Sequence, residues 1–262
     1  MISHILAPNL RKKRQELITY LDRLLQPDQF NDYAPNGLQI EGVQKIQRVV
    51  TGVTASQALI DQAISRGADV LLVHHGYFWR NEASPLVGMK KHRIKSLMDH
   101  DINLIAYHLP LDCHPDLGNN AQLGRLMGWV ADAHMQSSGV TGLGLYATLP
   151  EPCSGIDVQR HLSGILGREA LHIDTPSKPI KRIGWCTGGA QGMIEQAVAL
   201  GLDAYVSGEI SESTVHVARE NGVHYFAAGH HATERYGAKA LAAHLQQELG
   251  LDCEFVDLPN PA

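Results

Sequence analysis

The stretch IQRVVTGVTASQALIDQAISRGADVLLVHHG (46–76) returns 134 residues later as IKRIGWCTGGAQGMIEQAVALGLDAYVSGEI (180–210), with eight identities in 31 aligned positions. The matches are Ile46/Ile180, Arg48/Arg182, Gln57/Gln191, Ile60/Ile194, Gln62/Gln196, Ala63/Ala197, Gly67/Gly201 and Asp69/Asp203. A period of this kind restricts the chain to folds built from two similar supersecondary units. Each copy reads as an apolar strand, a turn rich in Gly or Thr, an amphipathic helix, a glycine and a second apolar strand. With one residue gapped, INLIAYHLPLD (102–112) continues the alignment against VHYFAAGHHATE (223–234). Both runs end in a histidine followed four residues later by an acid: His108 with Asp112, and His230 with Glu234.

Alternating strands and amphipathic segments predict an α/β fold of two pseudo-symmetric lobes, related by internal duplication, with mostly parallel sheets. Strands are expected at 46–53, 69–74, 102–107, 180–186, 203–207 and 223–228, and helices at 55–66, 91–100, 118–129, 190–201, 211–221 and 232–249. The lobes are drawn as 1–130 with 225–262, and 131–224, with a ligand cleft outside the carboxyl ends of the strands. FWRNEASPLVGMKKH (78–92) reads as a long irregular connection of the kind that serves as a lid.

Charge and cysteine usage exclude several function classes. Lys and Arg total 22 against 27 Asp and Glu, a net charge of −5, so no global positive field draws the chain to nucleic acid or to an anionic membrane. The basic run RKKR (11–14), on a helical pattern with Leu10, Leu17 and Leu21, reads as a solvated face. Cys113, Cys153, Cys186 and Cys253 form no CxxC pair, and no long apolar run accompanies them, which predicts a reduced, cytoplasmic protein. No Gly-x-Ser-x-Gly elbow or Cys–His pairing indicates a covalent nucleophile.

The fifteen histidines are many for this length, and several close apolar segments. VLLVHHG (70–76) runs a buried strand into His74 and His75, where imidazoles have little packing rationale. The set His74, His75, His108, Asp112, His230, His231 and Glu234, with Glu209 beside it, combines imidazole and carboxylate as Zn, Mn, Fe or Ni require. These donors are too many for one tetrahedral ion and suit two divalent ions with open positions. His108 reads equally as ligand, proton carrier or orienting group. Glu209 aligns with His75, its alternative being to cap the helix in SESTVHVAREN, and His231 reads as an outer neighbour. Gly76 lets the backbone turn so that both adjacent rings point inward.

CTGGAQG (186–192) opens a helix with Gly188 and Gly189, either to cradle phosphate through backbone N–H groups or to pack helix on strand. Arg80 and Lys91, on the lid-like segment, are candidates to hold an anionic substrate, with solvation the alternative.

VLLVHHG, AYHLPLD, GNN, VSGE and AAGHHATE, in this order, resemble the family of GTP cyclohydrolase 1 type 2 homologs, also called NGG-interacting-factor-three-like proteins. The resemblance spans essentially the whole chain, in the short bacterial form. It implies a two-lobed α/β subunit with a dinuclear centre held by His74, His75, Asp112, His230 and Glu234. It further implies a homo-oligomer, a hexameric ring of dimers, with metal sites facing its interior, and hydrolysis of a GTP-type purine ring.

The sequence thus leads to a metal-dependent hydrolase acting on a small anionic nucleotide or related heterocycle. One ion would activate water and the other would polarise the attacked group. The alternative is a non-enzymatic metal-binding ring with a structural, metal-delivery or partner-binding role.

Overall fold

The two apolar runs that bracket each copy of the repeat pair as parallel strands, in the same register. In the computed structural model, which describes residues 12–135, 142–175 and 178–262, Val49, Val50 and Thr51 lie opposite Val70, Leu71 and Leu72. Ile183, Gly184 and Trp185 lie opposite Ala204, Tyr205 and Val206, each 134 positions on. Polar contacts recur at the same offset. Asp69 Oδ2 accepts the backbone N–H groups of Gln47 and Arg48 at 2.8 and 2.9 Å, and Asp203 Oδ2 accepts those of Lys181 and Arg182 at 3.0 and 2.8 Å. Arg48 Nη1 donates to the Arg66 carbonyl and Arg182 Nη1 to the Leu200 carbonyl, both at 2.7 Å.

The fold is mixed α/β, and the chain divides into two compact units. Among the described residues, the first comprises 12–27, 32–108 and 238–258. It contains β1 (Lys12–Lys13), α1 (Arg14–Leu25), β2 (Gly37–Ile40), β3 (Lys45–Ile46), β4 (Arg48–Thr54), α2 (Gln57–Ser65), β5 (Val70–His75), α3 (Gly88–Asp99) and β6 (Asn103–Ala106). Among the described residues, the second comprises 28–31, 109–135, 142–175, 178–237 and 259–262. Its elements are α4 (Leu109–Cys113), α5 (Asn119–Met127), β7 (Ala133–His134), β8 (Leu145–Cys153), α6 (Gly155–Leu166), β9 (Leu171–Ile173), β10 (Ile180–Trp185), α7 (Ile194–Ala199), β11 (Ala204–Ser207), α8 (Glu212–Asn221) and β12 (His224–Ala227). Helix α9 (His230–Leu249) starts in the second unit and finishes in the first, leading to β13 (Asp252–Phe255).

In the first unit the order β13-β4-β5-β6-β2 is parallel except for β2, and Val50, Leu71, Val73 and Leu104 form its core with Leu59, Ile60 and Leu97. These strands are near-continuous apolar runs, as parallel strands covered on both faces must be. The second sheet, β7-β8-β10-β11-β12-β9, departs from the mostly parallel expectation. Only β10-β11 and β11-β12 run parallel, while β7, β8 and β9 join antiparallel. Strand β8 buries Ala147 and Leu149 and exposes the residues between, the alternation of a strand with one covered face. Trp185, Phe226, Leu162 and Leu123 centre this unit's core.

All twelve expected elements occur, with shifted ends. The division differs from the one drawn on the sequence: 109–130 and 225–237 fall in the second unit. The cause is pairing, since β12 hydrogen-bonds along β11, and α5 is tied to β10 by Trp185 Nε1, which donates to the Asn120 carbonyl at 2.9 Å. The 78–92 stretch is irregular only as far as Val87, because α3 begins at Gly88. Asn36-Gly37 leads into strand β2. Arg14 opens α1 and gives its guanidinium to the Gly42 carbonyl at 2.7 Å rather than to solvent, while Leu10 and Arg11 lie outside the described residues. All four cysteines are free thiols. Among the described residues no helix is long and apolar enough to cross a membrane.

Candidate functional site

In the first unit, β5 delivers His74 and His75 at its carboxyl end, and His108 follows the end of β6. Ligating atoms of the three imidazoles lie within 4.8 Å of one another, although adjacent strand residues ordinarily point to opposite faces. Ring centroids of His74 and His75 are 4.4 Å apart. Gly76 contributes close approach rather than a left-handed turn. A β-carbon there would overlap Gln39 Oε1 and come within 2.8 Å of the Ala106 β-carbon, and the positive φ falls on Phe78 instead.

Each ring is oriented by a partner. Buried His74 directs Nδ1 to the Tyr107 carbonyl at 3.1 Å, an acceptor only, so the proton sits on Nδ1 and Nε2 carries the ring's lone pair. His75 Nδ1 meets Thr54 Oγ1 at 3.1 Å. His108 Nδ1 donates to Asp32 Oδ1 at 2.9 Å. Burial pushes the Asp32 carboxyl up, but the His108 hydrogen bond and charge, with Asn36 and the Ala34 N–H, hold it down at about 2. Tyr33 and Trp79 meet the His108 ring edge-on at 4.9 and 5.1 Å. Arg80 Nη2 donates to the Asp32 carbonyl at 3.0 Å, one residue's reach from that pair. Lys91 is not drawn in: it faces a cleft of about 250 Å3 on α3 with Leu86, Ile94 and Met98.

In the second unit, Asp112 lies buried in the short α4, whose first turn also holds Pro110, a position that needs no N–H donor. Its Oδ1 accepts Asn119 Nδ2 at 2.9 Å and Thr187 Oγ1 at 3.4 Å. Asn120 ties the Asp112 carbonyl to the Thr187 N–H. Sequence reasoning assigned no role to Asn119, Asn120, Thr187 or Asp32. The GNN triplet before a helical pattern is a signal that looks like ordinary capping.

Helix α9 begins at His230, two residues earlier than expected, which sets His230 and Glu234 one turn apart on one face. His230 Nε2 is 3.0 Å from Glu234 Oε2, and its Nδ1 is 2.7 Å from Glu209 Oε1. Burial works to lower the His230 pKa, but Glu234 and then Glu209 raise it to about 9. Glu209 therefore serves His230 and not α8, which is capped by Ser211 through a reciprocal box with Thr214. Gly188 has φ +69°, and a β-carbon on it would overlap Glu234 Oε1. Its N–H donates to Thr233 Oγ1 at 3.0 Å, which packs the turn closely on α9. Gly189 stands by the same pair, its β-carbon position 3.6 Å from Glu209 Oε2 and from His230 Cε1. His231 belongs to none of the donor clusters among the described residues.

These clusters of His, Asp and Glu could hold metal ions, and the mixture of oriented imidazole with carboxylate fits a borderline divalent cation. The model of the Duf34/NIF3 (NGG1p interacting factor 3) family matches residues 12–261. The chain belongs to this family. Among Duf34/NIF3 relatives, a Pseudomonas aeruginosa protein named GTP cyclohydrolase 1 type 2 homolog is 52% identical over 94% of this chain and 97% of its own length. The Escherichia coli K12 protein of the same name is 47% identical over 95% of this chain and 100% of its own. Solved structures agree in fold. The protein ybgI, described as of unknown function, superposes with TM-score 0.92 at 47% identity, and TTHA1606 from Thermus thermophilus with 0.87 at 35%. Each covers 96% of this chain and 100% of the other.

Proposed function

We propose that this chain is a dinuclear, metal-dependent hydrolase acting on a nucleotide or related heterocycle, with a reaction akin to that for which its relatives are named. Its metal ligands would be His74, His75, Asp112, His230 and Glu234. The observation that carries the reading is shared by three imidazoles. His74, His108 and His230 each direct Nδ1 to an oxygen acceptor, the arrangement by which metalloproteins fix the tautomer and present Nε2.

Two divalent ions held by such ligands supply a water of lowered pKa and a Lewis acid for the substrate's oxygen. The chain's own residues would do the rest. His108, backed by Asp32, would move a proton to or from the reacting group, and Glu209 would keep His230 in orientation. Arg80, already in the hydrogen-bonded frame around Asp32, would bind an anionic group, and Trp79 with Tyr33 would stack on a heterocycle and keep water out.

Internal duplication belongs to the same reading, supported by strand register and aspartate hydrogen bonds that recur at one offset. So does self-association into a ring of dimers, supported by Val87, Met89 and Met98, which are 67%, 65% and 60% exposed on one segment. Cytoplasmic placement accords with four free thiols.

The test uses the full chain, stripped of metal and reloaded with Mn or Zn, against a panel of nucleotides. Two ions that depend on His75 and Glu234 are expected, with turnover of at least one compound that vanishes in His75→Ala and Glu234→Gln. Two bound ions with no turnover under any metal would replace the hydrolase with a non-enzymatic metal-binding role. A chain that binds none would end both.

A further inference from the structure

His172 and His224, which carry no motif spacing in the sequence, lie 3.1 Å apart, Nε2 to Nδ1. Both side chains are nearly buried, at 9% and 3% exposure. Asp174 Oδ1 completes a triangle with them, 3.4 Å from His224 Nδ1 and 3.9 Å from His172 Nε2. Strand pairing produces this, because His172 on β9 lies opposite Phe226 on β12, two residues beyond His224.

We propose that His172, His224 and Asp174 form a separate binding site for a divalent transition-metal ion. Three observations carry it. The first is spacing: the point equidistant from the three donor atoms is about 2.0 Å from each, the length of a zinc bond to imidazole nitrogen or carboxylate oxygen. Two imidazoles and one carboxylate arranged around an ion in this way leave the positions out of their plane open, here beside a cleft of about 640 Å3.

The second is orientation. His224 Nε2 donates to the Lys178 carbonyl at 2.9 Å, which puts its proton there and leaves Nδ1 as the donor atom facing the triangle. The His172 ring is fixed by stacking on Phe226, with centroids 4.4 Å apart and planes at 11°. Lys178 lines the same cleft, but its ammonium is engaged by Asp203 at 2.6 Å.

The third is room. Gly155 opens α6 against this pair, and a β-carbon there would stand 2.7 Å from His172 Nε2 and 2.9 Å from His224 Nδ1. Glycine leaves open the space beside both donor atoms that any other residue would fill. Asp157, in the first turn of α6, sets a carboxylate against the positive end of that helix, which would otherwise repel a cation.

The experiment titrates metal-free, full-length protein with Co2+, counting bound ions and following the side-chain NMR signals of Phe226. The expected result is one ion whose binding shifts the Phe226 ring signals paramagnetically. Asp174→Asn, at a side chain 75% exposed, should weaken that ion roughly tenfold or more, and His172→Gln should abolish it. Both changes should leave the ions that depend on Glu234 in place. Phe226 signals unmoved by saturating Co2+, or an affinity unchanged in Asp174→Asn, would overturn the proposal. Because Asp174→Asn and His172→Gln remove only the part of the Phe226 shift that arises at this site, the outcome is independent of whether His74, His75 and Glu234 hold a dinuclear centre.

Discussion

Glu209 Oε1 sits 2.7 Å from His230 Nδ1, and the carboxylate reaches this ring from a position that corresponds to His75 in the other copy of the repeat. At this aligned position one unit carries an imidazole and the other an imidazole's orienting group.

Replacing Glu209 with Gln keeps the shape and removes the charge. With Glu234 as the remaining carboxylate, the His230 pKa should fall below about 9, as read by NMR titration of the metal-free protein. The folded-state pKa lies above the unfolded value, so His230 contributes stability that is complete below about 6.5 and lost as pH rises through about 9. Thermal melts of the metal-free protein should show that decline, reduced in Glu209→Gln. Metal affinity should drop by roughly 10- to 100-fold.

Asp32 works in the opposite direction. Its carboxyl is held at about 2, below the unfolded value near 4, so its contribution is present at neutral pH and lost as pH falls from about 4 toward 2. Asp32→Asn should flatten acid unfolding in that window. It should also cost about 1–3 kcal/mol at pH 7, since His108 loses its charged acceptor. Tryptophan fluorescence, with Trp79 against His108, reports both.

Gly188→Ala should be severe for two reasons. The residue has φ +69°, which costs about 1–3 kcal/mol for a side chain, and the new methyl overlaps Glu234. A lower melting temperature together with loss of the Glu234-dependent metal is expected. Gly192→Ala, with nothing within 4 Å of its β-carbon position and no positive φ, should leave both unchanged and serves as the control in the same turn.

Asp69→Asn and Asp203→Asn should each destabilise by about 1–3 kcal/mol in chemical denaturation. In each, the single oxygen Oδ2 accepts two backbone N–H groups, and the amide oxygen of Asn can take its place only without the negative charge that strengthens both bonds. Similar values for the two would match their equivalent places in the repeat.

The repeat made much of this legible in advance. His230 and Glu234 stood out because their spacing echoed His108 and Asp112, and the register of β4 on β5 follows from the same alignment that sets β10 on β11. What the sequence hid was either distant or disguised. Asp32 and His108 are 76 positions apart, with no local pattern linking them. His172 and His224 are brought together only by the antiparallel pairing of β9 with β12. Strand β8 carries Pro150 and Pro152, which argue against a strand in any local reading and are tolerated in its exposed, irregular end. The start of α9 was misplaced because Gly229 and two histidines look like loop, whereas Gly229, at φ +99°, supplies the bend before the helix.

The route of the chain through the first unit has a consequence for its biogenesis. β13, the last of the described strands to leave the ribosome, is the one that pairs with β4. Until β13 is synthesised, the largely buried strand β4 is itself the edge of its sheet, while every strand of the six-stranded sheet is already available. Any truncation ahead of β13 strips that edge bare and should make the translation product prone to aggregate.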